Sequence, residues 1–404
     1  MKKILLSAIA IVAMTQSASA YDSLGEALQN GTYSTKARVF FFDRSFDKAG
    51  KDNATALTAG GIMKYETGHF HGLKAGLAYY GSHRLGGLYS RKEGKGTSIL
   101  GSAGEDLSFL GEAYLEYCFC DTGLTNTTIK IGRQQLATPL IQNHDLRILP
   151  SVYEAAILQN EDIQDTMVEL GYIQSYSGFT SKDNKFLDFN SKWGEDGLAY
   201  VSLKNKSIAN LSIRAQYVKA LSDDAKDGDA IEVQDYKYVD AKYTLPFGQK
   251  SYTKAQFGAN TYQNEDDSLL YGVKAGTTLG MFDVAVLHDT VADNAFKAVE
   301  SGPMYSDWQQ GYGPYEPSTA FGGQIVAHPM SGLSLKLGYV MVEADEDYRS
   351  DGTFTDDFTE MNIDAKYALN DYSKIRVRYS IKDQSDESDR EDRDDFRVIY
   401  YLNF

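Results

Sequence analysis

The sequence predicts a closed antiparallel β-barrel that crosses a membrane, on three observations. An export signal opens the chain, apolar and polar side chains alternate with a period of two along its length, and nearly all long connections fall on one side of the strand count. Lys2 and Lys3 precede the 11-residue apolar run Ile4 to Met14, and Ala18-Ser19-Ala20 supplies a small-x-small cleavage pattern. Eleven residues cannot span a bilayer core, which takes about 20 in a helix. Residues 1–20 therefore read as a removable signal peptide, and 21–404 as one barrel domain beginning at Tyr21.

Composition narrows the class. The formal charge is −16, and loss of Lys2 and Lys3 takes it to −18, which excludes nucleic acid as a partner because phosphate binding needs a basic footprint. The mature chain has no run approaching 18 apolar residues, so helical spans are excluded. The 29 Tyr, 19 Phe and 36 Gly against 7 Pro suit strands with one apolar and one polar face.

The strands follow from alternation. Phe396, Val398, Tyr400, Leu402 and Phe404 share one face of the last strand, and Phe404 ends the chain as outer-membrane barrels end for their assembly machinery. In 373–383, Ile375, Val377, Tyr379 and Ile381 oppose Lys374, Arg376, Arg378 and Lys382. In 358–368, Met361, Ile363, Ala365 and Tyr367 oppose Glu360, Asn362, Asp364 and Lys366. Eighteen strands are expected: 34–44, 58–67, 73–81, 108–117, 127–135, 163–173, 186–193, 198–204, 208–218, 234–245, 251–263, 268–278, 281–289, 320–328, 333–343, 358–368, 373–383 and 394–404. The pair 186–193 and 198–204 alternates least, so sixteen strands stays open.

Connections separate a membrane barrel from a soluble sandwich. Short turns are expected near 68–72, 118–126, 174–185, 205–207, 246–250, 279–280, 329–332 and 369–372, and long outer loops at 82–107, 136–162, 219–233, 290–319, 344–357 and 384–393. The segment 174–185 is long for a turn, while 194–197 and 264–267 are short for loops. In lipid every backbone amide needs an internal partner, so strands span only by closing on themselves. Eighteen strands leave a lumen too wide for side chains to fill. A Lys or Arg facing lipid at mid-depth costs about 2–4 kcal/mol, so the basic residues belong inside. Abundant Tyr fits two interfacial girdles.

A polar lumen beneath long loops implies transport. The expected pore-lining set is Arg38, Arg44, Asp145, Arg147, Arg214, Lys374, Arg376, Arg378 and Arg397, with Lys36, Lys254, Lys274 and Lys336 as further inward cations. Lys374, Arg376, Arg378 and Lys382 put four cations on one face of one strand, a row able to pass an anion from site to site. Equally, such a row is a hydrated wall neutralised by Glu360 and Asp364. The acidic excess sits in Ser222–Asp235, Glu265–Asp267, Glu343–Asp351 and Asp383–Asp395, which read as solvated outer loops that attract cations or bind divalent ions. Segment 136–162 carries Leu136, Leu140, Ile141, Leu146, Ile148 and Leu149, too apolar for water, so it is expected to fold into the barrel and bring Asp145 and Arg147 with it. Pro139 and Pro150 stiffen its ends.

Gly132, Pro139-Leu140, Asp145, Arg147, Leu149-Pro150 and Glu154, together with Arg38, Phe40, Phe42, Arg44 and Phe46, resemble the OprD-type substrate-specific outer-membrane porins. Tyr153 and Ala155 depart from that family's usual Phe and Gly. The resemblance implies an 18-stranded barrel, an eyelet narrowed by inward loops, an arginine-rich track along the wall, and passive uptake of small amino acids or carboxylates.

Other chemistry finds little support. His69 and His71 share a face but have no third ligand at metal spacing. Cys118 and Cys120 would stand about 6.6 Å apart in an extended strand, the upper limit for a disulfide, so pairing stays open. The reading is a non-enzymatic porin of a Gram-negative outer membrane, without cofactor or metal, passing amino acids, small carboxylates and ions. Its expected partners are lipid, lipopolysaccharide, small solutes and, through Phe404, the barrel assembly machinery, with a homo-oligomer open. The alternative is a structural or adhesive barrel that binds a partner through its long loops.

Overall fold

The computed structural model describes residues 21–47, 53–101 except 91–98, 104–120, 124, 126–178, 193–222, 232–246, 250–263, 265–300, 302–307, 309, 316–345, 357–384 and 392–404. The expected signal segment 1–20 lies outside them, as do 223–231, 346–356 and 385–391 of the acidic runs.

A short helix, α1 (Leu24–Gln29), is capped by the Ser23 hydroxyl accepting from the Glu26 amide. It precedes eighteen antiparallel strands: β1 (Thr32–Phe46), β2 (Ala54–Glu66), β3 (Leu73–Ser90), β4 (Leu107–Cys118), β5 (Thr127–Gln134), β6 (Val152–Asn160), β7 (Thr166–Ser177), β8 (Leu198–Asn205), β9 (Leu211–Ala220), β10 (Val233–Thr244), β11 (Tyr252–Tyr262), β12 (Ser268–Leu279), β13 (Phe282–Ala292), β14 (Ser318–Ala327), β15 (Leu333–Ala344), β16 (Phe358–Ala368), β17 (Ser373–Gln384) and β18 (Arg393–Asn403). Each pairs with its neighbour in sequence, and β1 closes the sheet against β18 from Lys36↔Asn403 to Phe46↔Arg393. Closure gives every edge a partner, which is the condition for strands in lipid. No described helix is long and apolar enough to cross a membrane; the chain crosses with strands.

Alternation places the side chains as the pattern requires. On β17, Ile375, Val377 and Tyr379 face outward while Lys374, Arg376 and Arg378 face the lumen. Exposed aromatics mark both ends of the lipid-facing surface: Tyr33, Tyr243, Phe282, Tyr367 and Tyr372 toward the short turns, Tyr217 and Tyr271 toward the loops.

The strand count is correct but one strand is elsewhere. The expected inward segment 136–162 contains β6, and the expected turn 174–185 is partly β7. The turn between β6 and β7 is 161–165, and the long connection from β7 to β8 joins strand ends on the other side. The expected strand 186–193 falls outside the described residues except Trp193, which is buried beside Tyr176 with ring centroids 4.8 Å apart. This shift removes two of the anomalies in the connection pattern, and only 263–267 remains short. Cys118 and Cys120 are disulfide-bonded, with Cα atoms 5.2 Å apart, at the turn after β4.

Candidate functional site

Two loops occupy the lumen. Segment 135–151 runs across it between two apolar clusters. Leu136, Leu140 and Ile141 pack with Tyr153, Ile173, Val218 and Phe296 on one side, and Ile148 and Leu149 with Phe40, Phe42 and Phe109 on the other. Leu146 is the exception to the expected burial and stays exposed. The Leu140 amide donates to Gln216 Oε1 on β9 at 2.8 Å, and the Gln135 side-chain amide donates to Tyr80 and Glu112 at 2.7 and 2.8 Å. Gly132, just before this loop, holds φ at +125°, and a Cβ there would collide with the Ala113 carbonyl, so only glycine fits.

The second loop, 293–317, was expected to stand outside. Its described part instead turns in: the Val299 and Glu300 amides donate to the Leu140 carbonyl at 3.0 and 3.3 Å, and Gln142 N–H donates back to the Glu300 carbonyl at 3.2 Å. Asp289 on β13, with no exposure, accepts from the Ser306 amide and hydroxyl at 2.7 and 2.8 Å. Further along, the Gln309 amide donates to Glu360 Oε1 at 3.0 Å, which carries the loop to β16.

Facing the first loop is a cationic wall on β17, β18 and β1. Arg44 grips Asp395 through Nε and Nη2 at 2.6 and 2.8 Å, and Arg397 Nη2 donates to the same carboxylate at 2.6 Å. Arg376 holds Asp364 through Nε at 2.9 Å and through Nη2. Arg38 donates to Asp145 at 2.7 Å and to the Arg147 carbonyl, tying the loop to β1. Three guanidiniums surround the buried Phe42 ring, from Arg397, Arg44 and Arg147 at 4.7, 5.2 and 5.5 Å, while Lys374 and Arg38 lie 4.6 and 5.1 Å from Tyr401. Burial, then the neighbouring Arg397 and Arg44 charges, push the Arg147 pKa well down.

Arg378 and Arg397 are register partners, 8% and 0% exposed, and in each Nε and Nη1 have no hydrogen-bond partner among the described residues. The nearest carboxylate to Arg378 is Asp364, at 3.9 Å and already held by Arg376.

Eight of the nine expected residues thus converge at one wall and its loop. Arg214 is separate: it sits on β9, across the barrel, bonded to Asp240. Asp395 was read as part of a solvated acidic loop and is instead a fully buried lumen residue whose charge Arg44 and Arg397 share. Its alternation with Phe396 and its place two residues before Arg397 were the available signals. Phe42 as the hub of three cations, and Asp289 as the anchor of the second loop, were not visible. Among the described residues no group of three or more His, Cys, Asp or Glu is arranged to hold a metal.

A closed 18-stranded barrel with an occupied, cation-walled lumen defines the class: an outer-membrane diffusion channel. The chain belongs to the OprD family, since the model for "outer membrane porin, OprD family" matches residues 27–404. It is similar in fold to Pseudomonas aeruginosa OccK9 (OpdG), at 16% identity and TM-score 0.77 over 94% of this chain and 99% of that one. Acinetobacter baumannii OccAB2 matches at 16% and 0.76 over the same shares, and P. aeruginosa OpdO at 16% and 0.73 over 94% and 98%. A search of curated protein sequences found no match. The protein is therefore an outer-membrane porin, in contact with membrane lipid and small solutes, from a family of channels.

Proposed function

We propose that this porin favours small carboxylates and amino acids, passing them along the wall formed by Arg376, Arg378, Arg397, Arg44 and Arg38, with loops 135–151 and 293–317 narrowing the path. The observation that carries the reading is the unsatisfied Nε and Nη1 of Arg378 and Arg397. A guanidinium fork matches a carboxylate in two parallel hydrogen bonds, and an incoming anion supplies the acceptors these atoms lack. Asp364 and Asp395 hold their arginines in place and keep the wall from binding an anion too tightly to release it.

The test is single-channel conductance of the refolded chain in planar bilayers, with reversal potentials in a KCl gradient and uptake of acetate and glycine into liposomes. Discrete open steps, and acetate entry that falls several-fold in Arg378→Gln/Arg397→Gln, are expected. Folded, inserted barrels that do not conduct would overturn the reading and favour an adhesive barrel. Three associated proposals have their own tests: the N-terminal residue of the exported chain for removal of residues 1–20, the yield of assembled Phe404→Ala barrel in cells for recognition by the assembly machinery, and the mass of the native assembly for the number of copies.

A further inference from the structure

The wall across the lumen from β1 carries a second concentration of positive charge. Lys242 on β10 is the register partner of Lys254 on β11, and Lys254 is the register partner of Lys274 on β12. All three point inward, since they alternate with the outward Tyr243, Ala255 and Val273. Directly opposed residues on antiparallel strands have Cβ atoms about 4.5–5.5 Å apart, and like charges in that arrangement destabilise the sheet.

The two nearest carboxylates are bonded to other groups. Asp240, one inward position above Lys242, is held by two nitrogens of Arg214 and by the Tyr238 hydroxyl. Asp289 is taken by Gln256 at 2.7 Å and by Ser306. Among the described residues none of the three lysines has a carboxylate within ion-pair distance; Lys242 and Lys254 face aromatic rings. Lys242 lies 5.0 Å from the Tyr252 centroid, and Lys254 lies 5.9 Å from those of Tyr252 and of Tyr305 in the second loop. The row sits one layer toward the short turns from the Gln256–Asp289–Ser306 anchor, on the periplasmic side in an outer-membrane barrel.

We infer that Lys242, Lys254 and Lys274 form a second anion site, beyond the loops, that selects short dicarboxylates over monocarboxylates. The three lysines repeat at the strand spacing of about 4.8 Å, and their side chains are long enough for two carboxylates separated by two or three carbons to meet different ammoniums. A single carboxylate engages one or two of them and leaves the rest of the repulsion in place. Tyr252 and Tyr305 supply flat apolar flanks for the connecting carbons. This rests on the porin reading but names a separate site from the arginine wall.

The experiment compares succinate with acetate as blockers of KCl current through single channels of the full chain. The wild type is expected to respond to succinate at about a tenfold lower concentration than to acetate. Lys254→Gln/Lys274→Gln is expected to abolish that difference, Lys254→Arg/Lys274→Arg to keep it, and Arg378→Gln/Arg397→Gln to weaken both blockers while keeping their ratio. A ratio unchanged in the glutamine pair, or lost in the arginine-wall pair alone, would assign the discrimination elsewhere and overturn the site. Titration calorimetry of succinate into the folded barrel in detergent reads the lysines without current: binding lost in the glutamine pair supports the site, and binding retained overturns it. A barrel that binds succinate but never conducts would overturn the porin reading alone. Heat-modified gel mobility checks folding, which the glutamine pair is expected to retain because it removes repulsion.

Discussion

Phe42 and Arg397 are register partners on β1 and β18, and the Arg397 guanidinium carbon stands 4.7 Å from the centroid of the Phe42 ring. An aromatic face presents negative potential to a cation, so this ring holds a buried guanidinium whose Nη2 alone is tied to a carboxylate. Arg44 and Arg147 share the same ring. The arrangement concentrates three positive groups from β1, β18 and the inward loop, and Nε and Nη1 of Arg397 have no acceptor among the described residues.

Phe42→Leu keeps the apolar volume and removes the ring's quadrupole. Each cation–π contact is worth about 0.5–2 kcal/mol, so the guanidiniums are expected to lose their fixed positions. The measurement is the reversal potential in a KCl gradient, which is expected to move toward cation preference, with an unfolding midpoint lowered by a few degrees. An unchanged reversal potential would reduce Phe42 to a packing residue.

Asp395 and Arg378 separate structure from permeation. Asp395→Asn removes the partner of two buried arginines, and breaking a buried ion pair from one side costs about 3–5 kcal/mol. Arg378→Gln loses only the 3.9 Å contact to Asp364, a carboxylate that Arg376 continues to hold. Thermal unfolding is expected to fall clearly in the first variant and little in the second, whereas acetate uptake falls several-fold in the second. Equal stability losses would show Arg378 to be a structural residue.

The Cys118–Cys120 bridge is expected to matter little. It closes a loop with one intervening residue, and the entropy removed from the unfolded chain by so small a loop amounts to at most about 1–2 kcal/mol. Cys118→Ser/Cys120→Ser is expected to insert and conduct as the parent does, since the turn lies at the other end of the strand from the inward loops. A large drop in the yield of folded barrel would point to a role in assembly.

Legibility in the sequence followed solvent contrast. Strands such as β16 and β17 separate a lipid face from a hydrated one, so Ile375/Arg376 and Ile363/Asp364 announce themselves. β6 does not. Its lumen face, Ala155 and Ile157, is covered by the inward loop, while Leu158 faces outward, so both faces are apolar and the alternation vanishes. That is why the strand merged with the loop before it, although the loop's own apolar residues did predict its inward path. The arginines were legible because charge inside a barrel must face the lumen. Their partners were less so: Asp395 and Asp289 resemble any acidic residue near a strand end, and the contacts that define them lie 351 and 17 residues away in the chain.

The second loop gives the sharpest prediction about the width of the path. Asp289 holds it by two hydrogen bonds from Ser306, and the carboxylate is fully buried, so Asp289→Ala leaves the Ser306 amide and the Gln256 side chain without their acceptor. An unsatisfied buried polar group costs about 1–3 kcal/mol, enough to offset one or more of the remaining hydrogen bonds at Leu140, Gln142 and Glu360, each worth about 1 kcal/mol, and so to loosen the loop. The loop is therefore expected to leave the lumen for part of the time. Single-channel records of Asp289→Ala are expected to show added open levels of higher conductance and weaker discrimination between acetate and chloride. Ser306→Ala, which keeps the amide donor, is expected to show the same change to a smaller degree. Conductance identical to the parent in both variants would mean that loop 135–151 alone sets the width.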